Sequence, residues 1–280
     1  MDKELETRLH VMFAGLNRQS AADSFPAPGT LADLLSHHAD SSSASKTIAA
    51  TPQIRNYFAT AAVEMWLRSV HSFLISASLT KASPIWSSVA GYYSSHYAIR
   101  GFAHLFGTFQ LHKKGRIARL DKDGGQVVLE KKGKDGEHKF YWKEVIKHPQ
   151  LAKDPFFYPN AEDKADGGHR NKMNYWDHIC RYPVFQPLEI QTLQDRVERI
   201  STIRFSSIPT PRADDNYFPD IDNVQIIAYH RIVKFRRLVD EACSANRFWK
   251  VQRTPSWCPS TLMNFSVVDS VFLELYAGMP

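Results

Sequence analysis

The chain has 280 residues, 43% of them apolar and 23% charged, with a net charge of +6. At ~150 residues per domain this is one large domain or two small ones, with enough chain to bury a sizeable core. The composition excludes a disordered or fibrous chain, and the mild positive charge favours an anionic partner.

Three cysteines, Cys180, Cys243 and Cys258, are widely spaced and form no paired motif, which points to a reducing compartment. The opening MDKELETRLH lacks the basic-then-apolar order of a signal peptide, and the apolar helical stretches are broken by Glu64, Arg68, His71, His96 and Arg100. A soluble, cytoplasmic protein with no membrane contact is expected.

Residues 2–19 pattern as an amphipathic helix, with Leu5, Leu9, Met12, Phe13 and Leu16 on one side. Thr30 caps a second short helix to about Ala39, and DSSSASK (40–46) reads as a polar linker, so 1–46 forms an N-terminal segment. From Thr51-Pro52, a cap and first-turn pair, a helical pattern runs to about Thr80. Ser83-Pro84 repeats the signal, and a second helix runs to about Phe106. Its inward stripe is Ile85, Val89, Tyr92, His96, Ile99, Ala103 and Phe106. The short link makes the two an antiparallel hairpin.

The period then changes. Arg116–Leu120, Gln126–Lys131 and His138–Trp142 read as strands, joined by the turn sequences DKDGG (121–125) and GKDG (133–136). Further helices are expected near 168–183, 188–203 and 222–244, and an apolar C-terminal segment over 265–276. The fold class is mainly α: a helical bundle around a long antiparallel hairpin spanning 47–280, with a small antiparallel β-meander inserted at about 113–147.

Phosphate-loop, dinucleotide-binding, zinc-protease and nucleophile-elbow signatures are absent, and no metal or cofactor is implied. Three sets carry candidate chemistry. Arg100 and His104 are four apart and share a helix face with Tyr93 and Tyr97. They form either a cationic, proton-transferring pocket or a core histidine with an arginine paired to a carboxylate such as Glu64. GGHRNKMNYWDH (167–178) packs Arg170, Asn171, Tyr175 and His178 into one helical start, which suits a phosphate site or a structural clamp. From Lys113 to Lys147 eleven Lys/Arg face six Asp/Glu, a net of +5, interleaved with Phe140, Tyr141 and Trp142. Lys131, Lys132, Lys134 and Lys139 there, with Arg231, Arg236 and Arg237 in RIVKFRRL, are the candidate nucleic-acid contacts; the same lysines could instead protect exposed strands.

YYSSHYAIRGFAHLFG (92–107) and HRNKMNY (169–175) resemble the second helix and the Arg-Asn…Tyr segment of the HEPN superfamily of helical-bundle domains. The resemblance implies a helical domain that dimerises or meets a protein partner. It further implies RNA binding and, in many members, metal-independent endoribonuclease activity in toxin–antitoxin or antiphage systems. In that reading His178 or His104 deprotonates a 2′-hydroxyl, Arg170 stabilises the phosphorane, Asn171 orients a phosphate oxygen, and Arg100 and Tyr175 line the site. The family's Arg, four to six residues, His pattern is missed twice. Three residues separate Arg100 from His104, seven separate Arg170 from His178, and Tyr175 stands where a histidine would complete the motif. The departure favours the alternative, a non-catalytic binding or scaffold module for a protein or nucleic-acid partner.

Overall fold

The computed structural model describes residues 1–18, 35, 45–111, 115–157, 190–207 and 221–253. The helix expected near 30–39, most of the 40–46 linker, the 167–178 cluster and the 265–276 segment lie outside the described residues.

The described chain is mainly helical with one small antiparallel sheet. Its helices are α1 (Lys3–Ala14), α2 (Pro52–Leu79), α3 (Pro84–Leu105), α4 (Glu137–Ile146), α5 (Ile190–Ser201), α6 (Ile221–Cys243) and α7 (Arg247–Arg253). The strands are β1 (Lys46–Ala49), β2 (Thr108–Leu111), β3 (Arg116–Leu120) and β4 (Gln126–Lys131), in the order β1-β4-β3-β2. No described helix is long and apolar enough to cross a membrane.

The helix starts are chemically determined. Asp2 accepts the amide of Glu4 ahead of α1, whose first turn carries Glu4 and Glu6 against the positive end of the helix dipole. Thr51 Oγ1 accepts the amide of Ile54 at 3.2 Å, the capping geometry that Thr51-Pro52 predicts.

Two compact units divide the chain, and α2, α3 and α6 each contribute residues to both. Of the described residues, those within 1–65, 99–150 and 235–253 form the first and those within 66–98 and 151–234 the second.

In the first unit the sheet is integral to the core. Val127 and Leu129 of β4 and Ala118 of β3 are fully buried, and Phe109 of β2 meets Phe58 of α2 edge-on at 6.3 Å. Phe102 packs on Phe235 at 5.4 Å. Arg8 of α1 donates to the carbonyls of Phe106 and Asp121, tying the first helix to the end of α3 and the β3–β4 turn. That turn needs Gly124: its φ is +70°, and a Cβ there would stand 2.9 Å from Val11 Cγ1.

Two expectations for this region are corrected. Residues 138–142 are not a strand but lie inside α4, so the sheet spans 108–131 plus β1 rather than reaching 147. Three consecutive aromatics carry high strand propensity. The wider window decides otherwise: Phe140, Tyr141 and Val145 are buried at helical spacing, Glu137 sits in the first turn and Lys143 in the last. β1 was hidden in what reads as linker and helix approach; it pairs with β4, Thr47 opposite Val128.

In the second unit α2 and α3 meet through small residues. Ser69 Oγ donates to the Ser94 carbonyl at 2.7 Å and Ser94 Oγ to the Ser69 carbonyl at 2.8 Å. Ser76 and Ser87 repeat the exchange, both at 2.7 Å. The two pairs lie seven residues apart on each helix, as an antiparallel heptad register requires. The apolar stripe from Ile85 to Phe106 is indeed buried, yet Ser87, Ser88 and Ser94 on the serine side are buried completely. Gln225 of α6 caps the Ser76–Ser87 pair. The two amide hydrogens on its Nε2 are shared among Ser76 Oγ, Thr80 Oγ1 and Ser87 Oγ at 2.9–3.1 Å, and its Oε1 accepts from Arg196 Nε at 2.7 Å.

Gly91 lies between the serine pairs, and a Cβ there would sit 2.9 Å from both Ser76 Oγ and Val224 Cγ1. In an unconstrained helix Gly→Ala gains about 1 kcal/mol, but overpacking here costs about 1–3 kcal/mol and displaces a bonded hydroxyl. Gly91→Ala is therefore expected to lower stability in urea titration, whereas Gly133→Ala, facing open space, should change it little. Equal midpoints for the two variants would contradict the close approach.

Candidate functional site

The C-terminal turn of α3 places Arg100 and His104 on one side, as their spacing predicts. Gly107, with φ +79°, reverses the chain into β2, and the Thr108 carbonyl then returns to accept His104 Nδ1–H at 2.9 Å. The acceptor is a carbonyl, so Nδ1 carries the proton. The ring stacks on Phe109 at 4.8 Å and meets Tyr141 edge-on at 5.5 Å. His104 is 1% exposed, and burial, reinforced by Arg100, pushes its pKa down to about 3. An imidazole so far below neutrality is a weak base.

Arg100 forms its ion pair with Glu137 at 2.8 Å, a carboxylate from another helix in the role for which the sequence offered Glu64 as an example, and its guanidinium lies 5.4 Å from the Tyr141 ring centroid. Tyr141 accepts the Gln110 amide at 3.2 Å, and burial raises its pKa to about 12. Together these groups join the end of α3 to the start of α4. The arrangement is that of a structural clamp with a neutral core histidine.

The basic residues separate into two kinds. Arg231 is 1% exposed: its Nε donates to the Phe156 carbonyl at 3.0 Å, and it donates to Ser95 Oγ at 2.5 Å. Arg236 is likewise buried, so RIVKFRRL is not a surface stripe; of its three candidate arginines only Arg237 is exposed. The amphipathic period marks α6 as a helix, but long cations also serve internal carbonyls. Phe140, Tyr141 and Trp142 are buried too and offer no stacking surface.

Lys131, Lys134 and Lys139 are exposed and Lys132 is half-buried. Lys131 ends β4, Lys132 and Lys134 lie on the short connection into α4, and Lys139 sits in the first turn of that helix. That connection is held by the Lys132 amide on the Gly115 carbonyl at 2.8 Å and by Gly136 as the N-cap residue of α4. Asp135, expected from the sequence only as part of the GKDG turn, stands among these lysines. Its carboxylate accepts from Lys143 Nζ at 2.7 Å, and Lys139 Nζ lies 3.9 Å away. The i, i+4, i+8 spacing of Asp135, Lys139 and Lys143 was the available signal. Below this surface Arg119 binds Glu130 and Glu144, fixing β3 and β4 to α4.

Arg170, Asn171, Tyr175 and His178 lie outside the described residues. Among the described residues no group of acidic, histidine or cysteine side chains is arranged to hold a metal ion. Comparison with family models, curated proteins and solved structures returns no match.

The state of His104 sets a pH dependence. The folded protein keeps it unprotonated down to about pH 3, while the unfolded chain takes up the proton near 6.5. The unfolded state thus binds more protons between these values. The stabilisation is complete above pH 6.5 and is withdrawn as pH falls toward 3, at up to about 1.4 kcal/mol per pH unit. His148, lowered to about 4 by burial and by Arg8, acts in the same direction. Urea unfolding between pH 6 and 4.5 should show His104→Gln with a slope shallower than wild type by about that amount. An NMR titration placing the His104 imidazole near 6.5 in the folded protein would refute the assignment.

Proposed function

We propose that this protein is a HEPN-like RNA-binding protein that holds the phosphate backbone on the β4–α4 connection. One observation carries the reading. Lys131, Lys134 and Lys139 are exposed on a single short segment, while Arg100, Arg231 and Arg236 are engaged in or buried by the fold. Lysines at a loop between strand and helix reach a polyanion without desolvating the core, and their affinity is largely independent of sequence. The resemblance of 92–107 and 169–175 to HEPN segments supports RNA as the polyanion, within a toxin or antiphage system.

The non-catalytic form of this reading is favoured by His104, whose burial and low pKa do not suit general-base chemistry at neutral pH. The endoribonuclease form rests on the density of Arg170, Asn171, Tyr175 and His178 in the sequence. In that form the protein cleaves RNA without metal, with Arg170 stabilising the phosphorane.

Fluorescence anisotropy with unrelated single-stranded RNAs at several salt concentrations tests the interface. Changing Lys131, Lys132 and Lys134 together to Glu is expected to weaken binding to all sequences alike. The slope of log K against log salt should flatten by up to about 2, at roughly 0.7 per phosphate contact. Equal affinities and slopes would remove these lysines from the RNA interface, and since β4 is an interior strand of the sheet they would not be edge protection either. In parallel, labelled RNA incubated with chelator should stay intact. Chelator-insensitive cleavage lost in Arg170→Ala, with the fold preserved, would establish the nuclease instead.

A further inference from the structure

The basic connection contains an anion of its own. Asp135 presents one carboxylate oxygen to Lys143 Nζ at 2.7 Å and the other to Lys139 Nζ at 3.9 Å. Lys139 and Lys143 are one helical turn apart on α4, and Asp135 precedes Lys139 by the same interval, so two ammonium groups converge on a single two-oxygen anion. A phosphodiester presents the same chemistry: one negative charge shared by two outward oxygens. By contrast, no ion pair involves Lys131, Lys132 or Lys134 among the described residues.

We propose that Asp135 is an internal competitor of the RNA phosphate backbone, occupying Lys139 and Lys143 in the free protein and yielding them to a phosphate on binding. This rests on the reading of the β4–α4 connection as the RNA interface. The exchange replaces one ion pair by another, with no covalent step. It divides the lysines into two functional sets. Lys131, Lys132 and Lys134 make the first contacts, and Lys139 and Lys143 join only when the bound anion outcompetes the carboxylate. The Lys143 hydrogen bond, with the charge of Lys143 and Lys139, holds the Asp135 carboxyl below its usual range. Mild acidification therefore does not release the two lysines; a competing anion does. A surface pair is weak enough for such exchange, since exposed ion pairs are readily screened and broken.

The test is anisotropy titration of single-stranded RNA with the full chain. Asp135→Asn keeps the size of the side chain and removes its charge. It is expected to raise affinity about two- to five-fold, the range a surface pair supports. It should also steepen the salt slope by up to about 1.4, for two added contacts. Asp123→Asn is the control, because it changes net charge equally at an exposed turn residue; it should leave the slope as in wild type. The gain from Asp135→Asn should vanish when Lys139 and Lys143 are both changed to Met. A gain no larger than that of Asp123→Asn, or one that survives the double Met change, overturns the competitor while leaving the interface standing. Absence of RNA binding by wild type and Asp135→Asn alike overturns the interface and the competitor together.

Discussion

The exchange of hydroxyl–carbonyl hydrogen bonds between α2 and α3 is the constraint on which the second unit depends. A serine side chain adds little width, so the two backbones can approach closely only where such residues face each other. Ser69 with Ser94 and Ser76 with Ser87 do so at a seven-residue interval. Each hydroxyl of the two pairs donates to the opposite helix's carbonyl, so these four serines are satisfied across the interface. Gln225 then has three hydroxyl oxygens within reach of its two amide hydrogens and accepts from Arg196, so both ends of its side chain are bonded. In the first unit Gly101 occupies the next position in the same spacing. A Cβ there would stand 3.3 Å from the Ala62 carbonyl oxygen, an approach that a larger residue would force apart.

The parts of the fold legible in the sequence were those fixed by local chemistry. Thr51-Pro52 and Ser83-Pro84 mark the starts of α2 and α3, and DKDGG marks the β3–β4 turn, where the Gly125 amide donates to Asp121 Oδ1 at 2.7 Å. The apolar stripe of α3 was also visible, but it is one buried side of a helix buried on several. The hydrogen bonds between α2 and α3 lie along serines that a hydrophobic pattern ranks as polar and therefore outward. The signal was present as the heptad spacing 69–76 and 87–94–101, which small residues, not apolar ones, carry. Residues 138–142 misled for the opposite reason. Their strand propensity is a preference for packed aromatic surfaces, and a helix burying Phe140, Tyr141 and Val145 satisfies it equally.

At the candidate site, spacing predicted proximity and could not predict environment. The i, i+4 relation of Arg100 and His104 held, but their chemistry is set by partners distant in sequence. Glu137 comes from another helix, and the Thr108 carbonyl is brought back by the left-handed turn at Gly107. The arginines of RIVKFRRL repeat the point, since a guanidinium that donates to Phe156 and Ser95 has the same sequence signature as one facing solvent. Lysine is the better surface indicator. Its strongly hydrated ammonium is costly to bury, and the four candidate lysines do remain at least partly exposed.

This division of labour between arginine and lysine links the fold to its proposed use. Arg8, Arg100, Arg119 and Arg231 each bind carbonyls or carboxylates at element ends, where planar, fixed donors satisfy groups that helices and strands leave open. The lysines between β4 and α4 are held by backbone alone, through Gly115 and Gly136, and their side chains keep their freedom. A surface that must follow an irregular polyanion gains from such freedom, because each ammonium can find a phosphate without requiring the others to stay in register. The rigid arginine clamp between α3 and α4 supplies the complementary property. By pairing Arg100 with Glu137 at the first turn of α4, it fixes the helix that carries Lys139 and Lys143, and so the place where Asp135 meets them.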